Sequence, residues 1–164
     1  MQQTIENLQQ RIRIVAEYWQ NLNEADRQAK ESPEKWSKKQ VLGHLCDSAQ
    51  TNIRRMVVGQ YQIDAHIIYE QNVWVKAADY QHYDSSQLLS FWMLLNQHFC
   101  IVLSNLPEEN YSTTTNWGKT TPDLVSLKYV AEDYVKHLDH HLLQMGMNLG
   151  ETAIQYHFST SDTQ

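Results

Sequence analysis

Four segments of this chain repeat apolar residues at steps of three and four, and this pattern constrains the fold more than any other feature. The chain has 164 residues with only five Gly and three Pro, so long helices can run without the residues that break them. Apolar residues at this spacing predict helices that bury one face. Four such helices predict an all-α fold, a four-helix bundle.

The start of the second helix has the clearest sequence signal. Ser37 and Gln40 have the spacing of a capping box, in which each side chain accepts a hydrogen bond from the other residue's backbone N–H. Trp36 and Val41 flank this box and are placed to form a hydrophobic staple. The helix is predicted to end at Gly59.

The same kinds of signal place the other three helices. Apolar spacing predicts a first helix over residues 4–30. Asp84 is placed to cap a third helix that runs to Pro107. Pro122, at a first helical position, marks the start of a fourth helix, which is predicted to end within residues 146–150.

The lengths of the connections predict the order of the helices. Residues 31–37 form a short link, so the first two helices should be antiparallel neighbours. Residues 60–83 form a connection long enough to be a crossover. We therefore predict an up-down-down-up bundle with the long crossover between its second and third helices. Residues 1–150 are expected to form this single domain, and residues 151–164 a partly disordered C-terminal extension.

A pair of histidines lies inside the apolar stripe of the fourth predicted helix. His137 and His141 are four residues apart, so a helix places both imidazoles on one face, where they could grip one metal ion. His44 lies about seven residues into the second helix and reaches a similar height if the second and fourth helices are antiparallel. An up-down-up-down order would offset it by about two turns. For His44 taken alone, a core-edge histidine bonded to a neighbour is the favoured interpretation.

Other residues near this pair have two interpretations each. Asp47, one turn after the first histidine, could orient an imidazole or hold a water, or lie solvated on the surface. Asp139 and His140 are placed toward the solvent-facing edge of the last helix. There His140 either contacts a ligating histidine without binding the metal itself or is solvated. Tyr134 could face a cavity, although an aromatic residue at that spacing is more often core. His98 could be a fourth ligand, although a half-buried histidine bonded to a neighbour is favoured. Three further histidines are expected at the surface: His66, His82 and His157.

Composition argues against several classes of protein. The net charge of -6 and the lack of a basic run argue against nucleic acid as a partner. No stretch approaches the ~18 apolar residues that span a bilayer, and no secretion signal is evident, so we expect a soluble, cytoplasmic protein without a membrane partner.

Cys46 and Cys100 fall in apolar helical segments, where buried free thiols are favoured over one disulfide.

Three stretches of the chain resemble the DinB/YfiT-like superfamily of metal-dependent enzymes. The first is similar to the opening motif of that superfamily's second helix, the next to the crossover signature of one branch, and the last to its final helix. They are residues 36–37 (WS) with 41–48 (VLGHLCDS), residues 71–75 (QNVWV) and residues 133–144 (DYVKHLDHHLLQ). The resemblance implies an up-down-down-up four-helix bundle and implies His44, His137 and His141 as metal ligands.

The chemistry that the resemblance implies is diverse. The superfamily includes transferases and isomerases that use bacillithiol, mycothiol or a similar thiol, and members described as hydrolases. Three neutral imidazoles leave the charge of a divalent metal (Zn, Ni, Mn or Fe) in place and leave coordination positions open, so such a centre can activate a water or a low-molecular-weight thiol on a small-molecule substrate. Of these two reaction classes, thiol transfer is slightly favoured over hydrolysis.

A non-catalytic function is the competing interpretation. In that case the bundle is a homodimerising or ligand-binding module, and any metal is structural, as is typical when four protein ligands close the site.

Overall fold

The computed structural model describes residues 1–150, and this part of the chain is mostly helical. In chain order the helices are α1 (Gln2–Gln20), α2 (Glu24–Gln28), α3 (Lys38–Val58), α4 (Gln71–Ala77), α5 (Ser85–Ser104) and α6 (Leu127–Gln144). The strands are β1 (Ala65–His66), β2 (Thr114–Asn116) and β3 (Leu124–Ser126), and a single 3-10 turn covers Glu108–Asn110. Within the described residues, no helix combines the length and the hydropathy that crossing a bilayer requires.

The four long helices bury their apolar faces against one another in a single core. Fully buried side chains from each of them meet there, among them Leu8, Leu45, Trp92 and Leu138. The predicted apolar stripes therefore form the inner faces of the long helices. This packing, more than helix propensity, stabilises segments of this length in water.

The predicted capping signals are confirmed at the starts of α3 and α5. The backbone N–H of Gln40 donates to Ser37 Oγ over 3.2 Å, and the backbone N–H of Ser37 donates to Gln40 Oε1 over 3.1 Å. At α5, Asp84 Oδ1 accepts from the backbone N–H groups of Ser86 and Gln87. These side chains satisfy backbone donors that a helix start leaves without intrahelical partners.

The predicted first helix over residues 4–30 is wrong in its second half. Helix α1 ends at Gln20, and the chain leaves the helical conformation at Asn23, whose backbone is extended (φ -80, ψ 167). The Asn23 side chain accepts from the backbone N–H of Asp26 over 2.8 Å and so caps the separate helix α2. A short polar side chain that binds nearby backbone competes with helix continuation, and here it starts a new helix instead.

The predicted start of the last helix at Pro122 is also wrong. Helix α6 begins at Leu127 with Ser126 as its cap. The residues before it form β3, which pairs antiparallel with β2, and Pro122 lies in the connection between these strands. Asn116 Oδ1 closes this connection by accepting from the backbone N–H groups of Gly118 and Asp123, each over 3.0 Å.

A small sheet therefore corrects the all-α prediction. Strand β1, inside the long connection at residues 60–83, pairs parallel with β2, giving the order β1-β2-β3. That connection also contains α4, so it is a structured segment. Arg55 of α3 fixes it, because its Nε and Nη2 both donate to the backbone carbonyl of Ile67 over 3.1 and 2.8 Å. The up-down-down-up order and the 1–150 domain boundary stay predictions, and the predicted tail at 151–164 lies outside the described residues.

A fully buried ion pair joins α1 to α6. Arg11 Nε and Nη2 donate to the two carboxylate oxygens of Asp139 over 2.7 and 2.8 Å, and neither side chain is more than 1% exposed. The prediction that Asp139 lies toward the wet edge of its helix is thus wrong. The carboxylate is buried because a guanidinium 128 residues earlier in the chain pairs with it.

We expect Arg11→Ala to lower the free energy of unfolding by about 3–5 kcal/mol, because it leaves the Asp139 carboxylate buried and unpaired. Urea denaturation at pH 7 measures this change. The exposed Arg13, on the same helix, provides the control, and Arg13→Ala should change stability by less than about 0.5 kcal/mol. The double variant Arg11→Met with Asp139→Leu should recover most of the loss, since it removes both charges. A single variant no less stable than the control would contradict this account.

Candidate metal centre

Three histidines from two helices converge at one point between α3 and α6. His44 Nε2 lies 3.4 Å from His137 Nε2, and His137 Nε2 lies 3.1 Å from His141 Nε2. The candidate ligand atoms of all three residues lie within 4.8 Å of one another. His44 is buried, whereas His137 and His141 are half-buried. This cluster of His44, His137 and His141 is called the three-histidine cluster below.

The local sequence explains why the cluster forms. Ser126 caps α6, so the helix is regular through residues 127–144 and places His137 and His141 on one face. Leu138 and Leu142 of the same helix are fully buried and fix the rotation of that face toward the core. His44 enters from α3, whose start is fixed by the capping box seven residues earlier in the chain.

The hydrogen bond at the outer edge of His141 determines which of its ring nitrogens faces the cluster. Its Nδ1 lies 2.8 Å from Gln144 Oε1, an acceptor, so Nδ1 carries the proton and donates it. The lone pair of Nε2 is then free to face His137. A histidine that ligates a metal through one nitrogen commonly donates through the other in this way.

Burial keeps the three imidazoles neutral. It lowers the pKa of His44 and of His137 well below the usual value, and His141 adds to the shift in both cases. His44, His140 and Arg55 lower the pKa of His137 further. Burial also lowers the pKa of His141 to about 4, against an opposing effect of its hydrogen bond to Gln144. Neutral imidazoles are the form that binds a metal.

The spacing of the cluster fits a tetrahedral metal site. With metal–nitrogen bonds of 2.0–2.1 Å, ligand nitrogens of a tetrahedral site are about 3.3 Å apart. The two shortest Nε2–Nε2 distances in the cluster, 3.4 and 3.1 Å, agree with that spacing. Within residues 1–150 the cluster contains three candidate ligands and no carboxylate or thiol. Such a donor set suits divalent transition metals and leaves a coordination position open.

Two aromatic side chains, those of Trp36 and Tyr69, lie against the His44 ring. The Trp36 ring centroid lies 5.1 Å from that of His44, and the Tyr69 ring is stacked on it at 6.2 Å. The Trp74 ring contacts Tyr69 edge-on at 5.6 Å. Trp36 and Tyr69 are half-buried, so they border the cluster where it approaches the surface.

Comparison with known proteins identifies the family. The family model described as the DinB superfamily matches residues 7–145. The chain belongs to the DinB superfamily. No curated protein sequence matches it.

Solved structures share the DinB-superfamily fold with this chain. YfiT from Bacillus subtilis, described as a probable metal-dependent hydrolase with an unusual four-helix bundle topology, is 18% identical with a TM-score of 0.80, over 88% of this chain and 83% of its own. The mycothiol-dependent maleylpyruvate isomerase is 9% identical with a TM-score of 0.73, over 88% of this chain and 60% of its own. A histidine-to-alanine mutant of that isomerase has the same TM-score of 0.73. At these identities the likeness shows the fold alone.

The structure places the other candidate residues of this DinB-superfamily chain outside the cluster. Asp47 is buried, so a solvated surface position for it is wrong, and its Oδ1 accepts from the Tyr80 hydroxyl over 2.7 Å. Tyr134 is buried in the core, where its hydroxyl donates to Asn96 Oδ1 over 2.6 Å. His140 is half-buried, and its ring centroid lies 5.1 Å from that of His141.

The remaining histidines are also away from the cluster. His98 is exposed, so both a fourth ligand and a half-buried histidine are wrong for it. His66 and His82 are exposed as predicted, whereas His157 lies outside the described residues. Cys46 and Cys100 are buried free thiols, as predicted. Burial raises the pKa of the Cys100 thiol to about 11 and that of Cys46 well above its usual value, so neither thiol forms a reactive thiolate readily.

Three residues that matter to the site were missed by sequence reasoning. Gln144 binds His141 and follows it by three residues, a spacing that could have indicated the contact. Tyr80 binds Asp47, and Arg55 lowers the pKa of His137, but both contacts depend on how distant segments pack. No local pattern in the sequence indicates those two.

In metal-free protein, the free energy of unfolding should fall as the pH falls, because folded His141 stays neutral. Unfolded His141 takes up its proton near pH 6.5, whereas the folded residue stays neutral to about pH 4. The unfolded state therefore binds more protons in this window, and the free energy of unfolding falls with pH. Between pH 7 and pH 5, His141→Leu should lose about 2 kcal/mol less than the wild type, measured by urea denaturation with a chelator. Equal losses in the two proteins would contradict the neutral state of His141.

Proposed function

We propose that this DinB-superfamily protein is a metal-dependent enzyme in which His44, His137 and His141 hold a divalent transition metal (Zn, Ni, Mn or Fe). The metal serves to activate a low-molecular-weight thiol or a water for reaction with a small-molecule substrate. The observation that carries the proposal is the convergence of three imidazoles from α3 and α6, whose candidate ligand atoms all lie within 4.8 Å of one another. Three neutral bases directed at one point are costly in a core unless a ligand binds there.

The residues around the cluster suit a reactive site better than a closed structural one. A divalent ion with an open position supplies Lewis-acid chemistry, because it lowers the pKa of a water or thiol that it binds. The three imidazoles contribute no charge of their own to weaken that effect. His137 and His141 are half-buried, so the cluster can be approached from solvent on their side. Trp36 and Tyr69 offer apolar surface beside His44 for the body of a substrate.

Thiol transfer is the favoured reaction class, with hydrolysis as the alternative. Among the solved structures of the same fold, one is a mycothiol-dependent isomerase and another is described as a probable metal-dependent hydrolase. Both buried cysteines of this chain have raised pKa values, so the reactive thiol would come from a cosubstrate. Tyr69, which stacks on His44 and contacts Trp74, offers aromatic surface beside the cluster for the body of such a thiol.

A non-catalytic, dimerising bundle is the competing function, and one observation favours it. Leu94 and Ile101 lie two turns apart on α5 and are 64% and 59% exposed, which would suit contact with a second copy of the chain. A structural metal site, however, is usually closed by four protein ligands, and the cluster offers three among the described residues. The enzyme is therefore the better-supported function.

Metal content tests the proposal directly. Protein purified without a nickel column should contain about one divalent ion per chain by mass spectrometry, because one ion fills one tetrahedral site. His44→Ala and His137→Ala should each lose the ion while α-helical circular dichroism stays unchanged. His98→Ala is the matched control, since it removes an exposed histidine from the same chain and should retain the ion.

Two results would contradict this assignment. Wild-type protein that contains no metal and takes up no zinc, nickel or manganese would remove the basis for a metal-dependent enzyme. Full metal occupancy in His137→Ala would place the ion elsewhere in the chain.

An activity screen separates thiol transfer from hydrolysis. Zinc-loaded protein is offered small electrophiles and activated esters, each with and without bacillithiol, mycothiol or glutathione, and products are measured by mass spectrometry. We expect turnover that requires a thiol and yields a thiol adduct or a thiol-dependent isomer. The activity should disappear in His44→Ala, since that variant lacks one ligand. Turnover of the esters without any thiol would instead establish a hydrolase.

A further inference from the structure

Two polar atoms on one face of α3 are buried without a hydrogen-bond partner among the described residues. They are His44 Nδ1 and Asp47 Oδ2. Both residues are almost fully buried, at 1% and 2% exposure. A buried polar atom without a partner costs about 1–3 kcal/mol, so each of these atoms calls for a partner in the folded protein.

The two atoms are chemically complementary and are carried by neighbouring side chains. Residues three apart on a helix have Cβ atoms about 5–6 Å from each other. An imidazole nitrogen can donate a proton, and a carboxylate oxygen accepts one. One water between them would satisfy both atoms at once, by accepting from the imidazole N–H and donating to the carboxylate oxygen.

Tyr80 fixes the position of the Asp47 carboxyl group. Its hydroxyl donates to Asp47 Oδ1 over 2.7 Å, which leaves Oδ2 as the remaining acceptor. The Tyr80 ring lies directly against the backbone of Gly43, where an added Cβ would come within 2.1 Å of the ring. Glycine next to His44 thus permits the close approach that brings the hydroxyl to Asp47.

His141 has a hydrogen bond at its Nδ1, and His44 lacks one among the described residues. In His141, Nδ1 donates to Gln144 and Nε2 faces the cluster. In His44, Nε2 faces the cluster in the same way. For the two imidazoles to present equivalent lone pairs to one ion, Nδ1 of His44 also needs an acceptor.

We infer that Asp47, held by Tyr80, is the positioning residue of His44: its Oδ2 accepts the Nδ1 proton of His44, directly or through one water. This acceptor fixes the imidazole tautomer that directs the Nε2 lone pair into the three-histidine cluster. It also makes His44 a more basic ligand, as carboxylates behind metal-binding histidines do. The inference rests on the proposed metal site, but the contact it describes is expected in metal-free protein as well.

Nitrogen NMR on metal-free protein tests the contact. Two-bond ¹H–¹⁵N spectra report which ring nitrogen of His44 carries the proton, with the signal assigned by its loss in His44→Gln. We expect the Nδ1–H tautomer in the wild type. In Asp47→Asn, the amide keeps its oxygen on the Tyr80 hydroxyl and turns its NH₂ toward His44, so the tautomer should switch to Nε2–H. An Nε2–H tautomer in the wild type, or no change in Asp47→Asn, would overturn the inference.

Zinc affinity provides the second measurement, by competition with a chromogenic chelator. Asp47→Asn should bind zinc about 10- to 100-fold more weakly, and Tyr80→Phe should show a smaller loss in the same direction. Tyr134→Phe is the matched control: it removes another buried tyrosine hydroxyl, one that binds Asn96 in the core, and should leave zinc affinity unchanged.

The outcomes separate this inference from the proposed function. Zinc binding by Asp47→Asn as tight as in the wild type overturns the role of Asp47 while leaving the metal site intact. Failure of the wild type to bind zinc contradicts the proposed function, and the tautomer of His44 in metal-free protein still decides the inference.

Discussion

The buried pair of Arg11 and Asp139 is the interaction on which the rest of the structure depends. Asp139 lies between His137 and His141 in sequence, so the pair that joins α1 to α6 also fixes the helix that carries two members of the cluster. A shift of α6 by one residue would separate the two charges in a site without solvent, where an unpaired charge strongly destabilises the folded state. Tyr18 of α1 adds a second contact by donating to the backbone carbonyl of Met145, the residue that follows α6, over 2.5 Å. The apolar core alone would tolerate small shifts, whereas a bidentate pair admits one register.

The core contains two different kinds of ionisable group: one pair of opposite charges and three neutral imidazoles. Arg11 and Asp139 form a buried ion pair, and the net effect of the pair on stability is small compared with the cost of removing one partner. The imidazoles of the cluster have no carboxylate among them, and burial lowers their pKa values until they are neutral. A site that holds three neutral bases beside a buried guanidinium, that of Arg55, disfavours protons and still offers lone pairs to a metal.

Sequence reasoning succeeded where the determining information is local. Caps at Ser37 and Asp84, and the four-residue step from His137 to His141, depend on residues within one or two turns, and the structure contains all of them. It failed where a local signal was ambiguous: Asn23 starts a new helix, and Pro122 lies in a strand connection. The burial of Asp139 could not be predicted, since its partner is 128 residues away and a lone acidic residue is more often exposed. From spacing alone, the position of His44 in the cluster was predictable only together with the order of the helices, whereas the resemblance to the DinB/YfiT-like superfamily implied it directly.

The long connection at residues 60–83 places side chains around the site, which its length alone does not reveal. Arg55 binds the carbonyl of Ile67 at one end of it, and Tyr80 lies against Gly43 at the other. Between them, Tyr69 stacks on His44 and contacts Trp74. A short loop would connect α3 to α5 but would provide none of these side chains. His141 obtains its outer hydrogen bond from its own helix through Gln144, whereas Tyr80, which binds Asp47, comes from the connection at residues 60–83. Residues 60–83 therefore hold Asp47 through Tyr80, whereas His141 is held by a residue of its own helix, so this connection contributes to the surroundings of the site as well as linking α3 to α5.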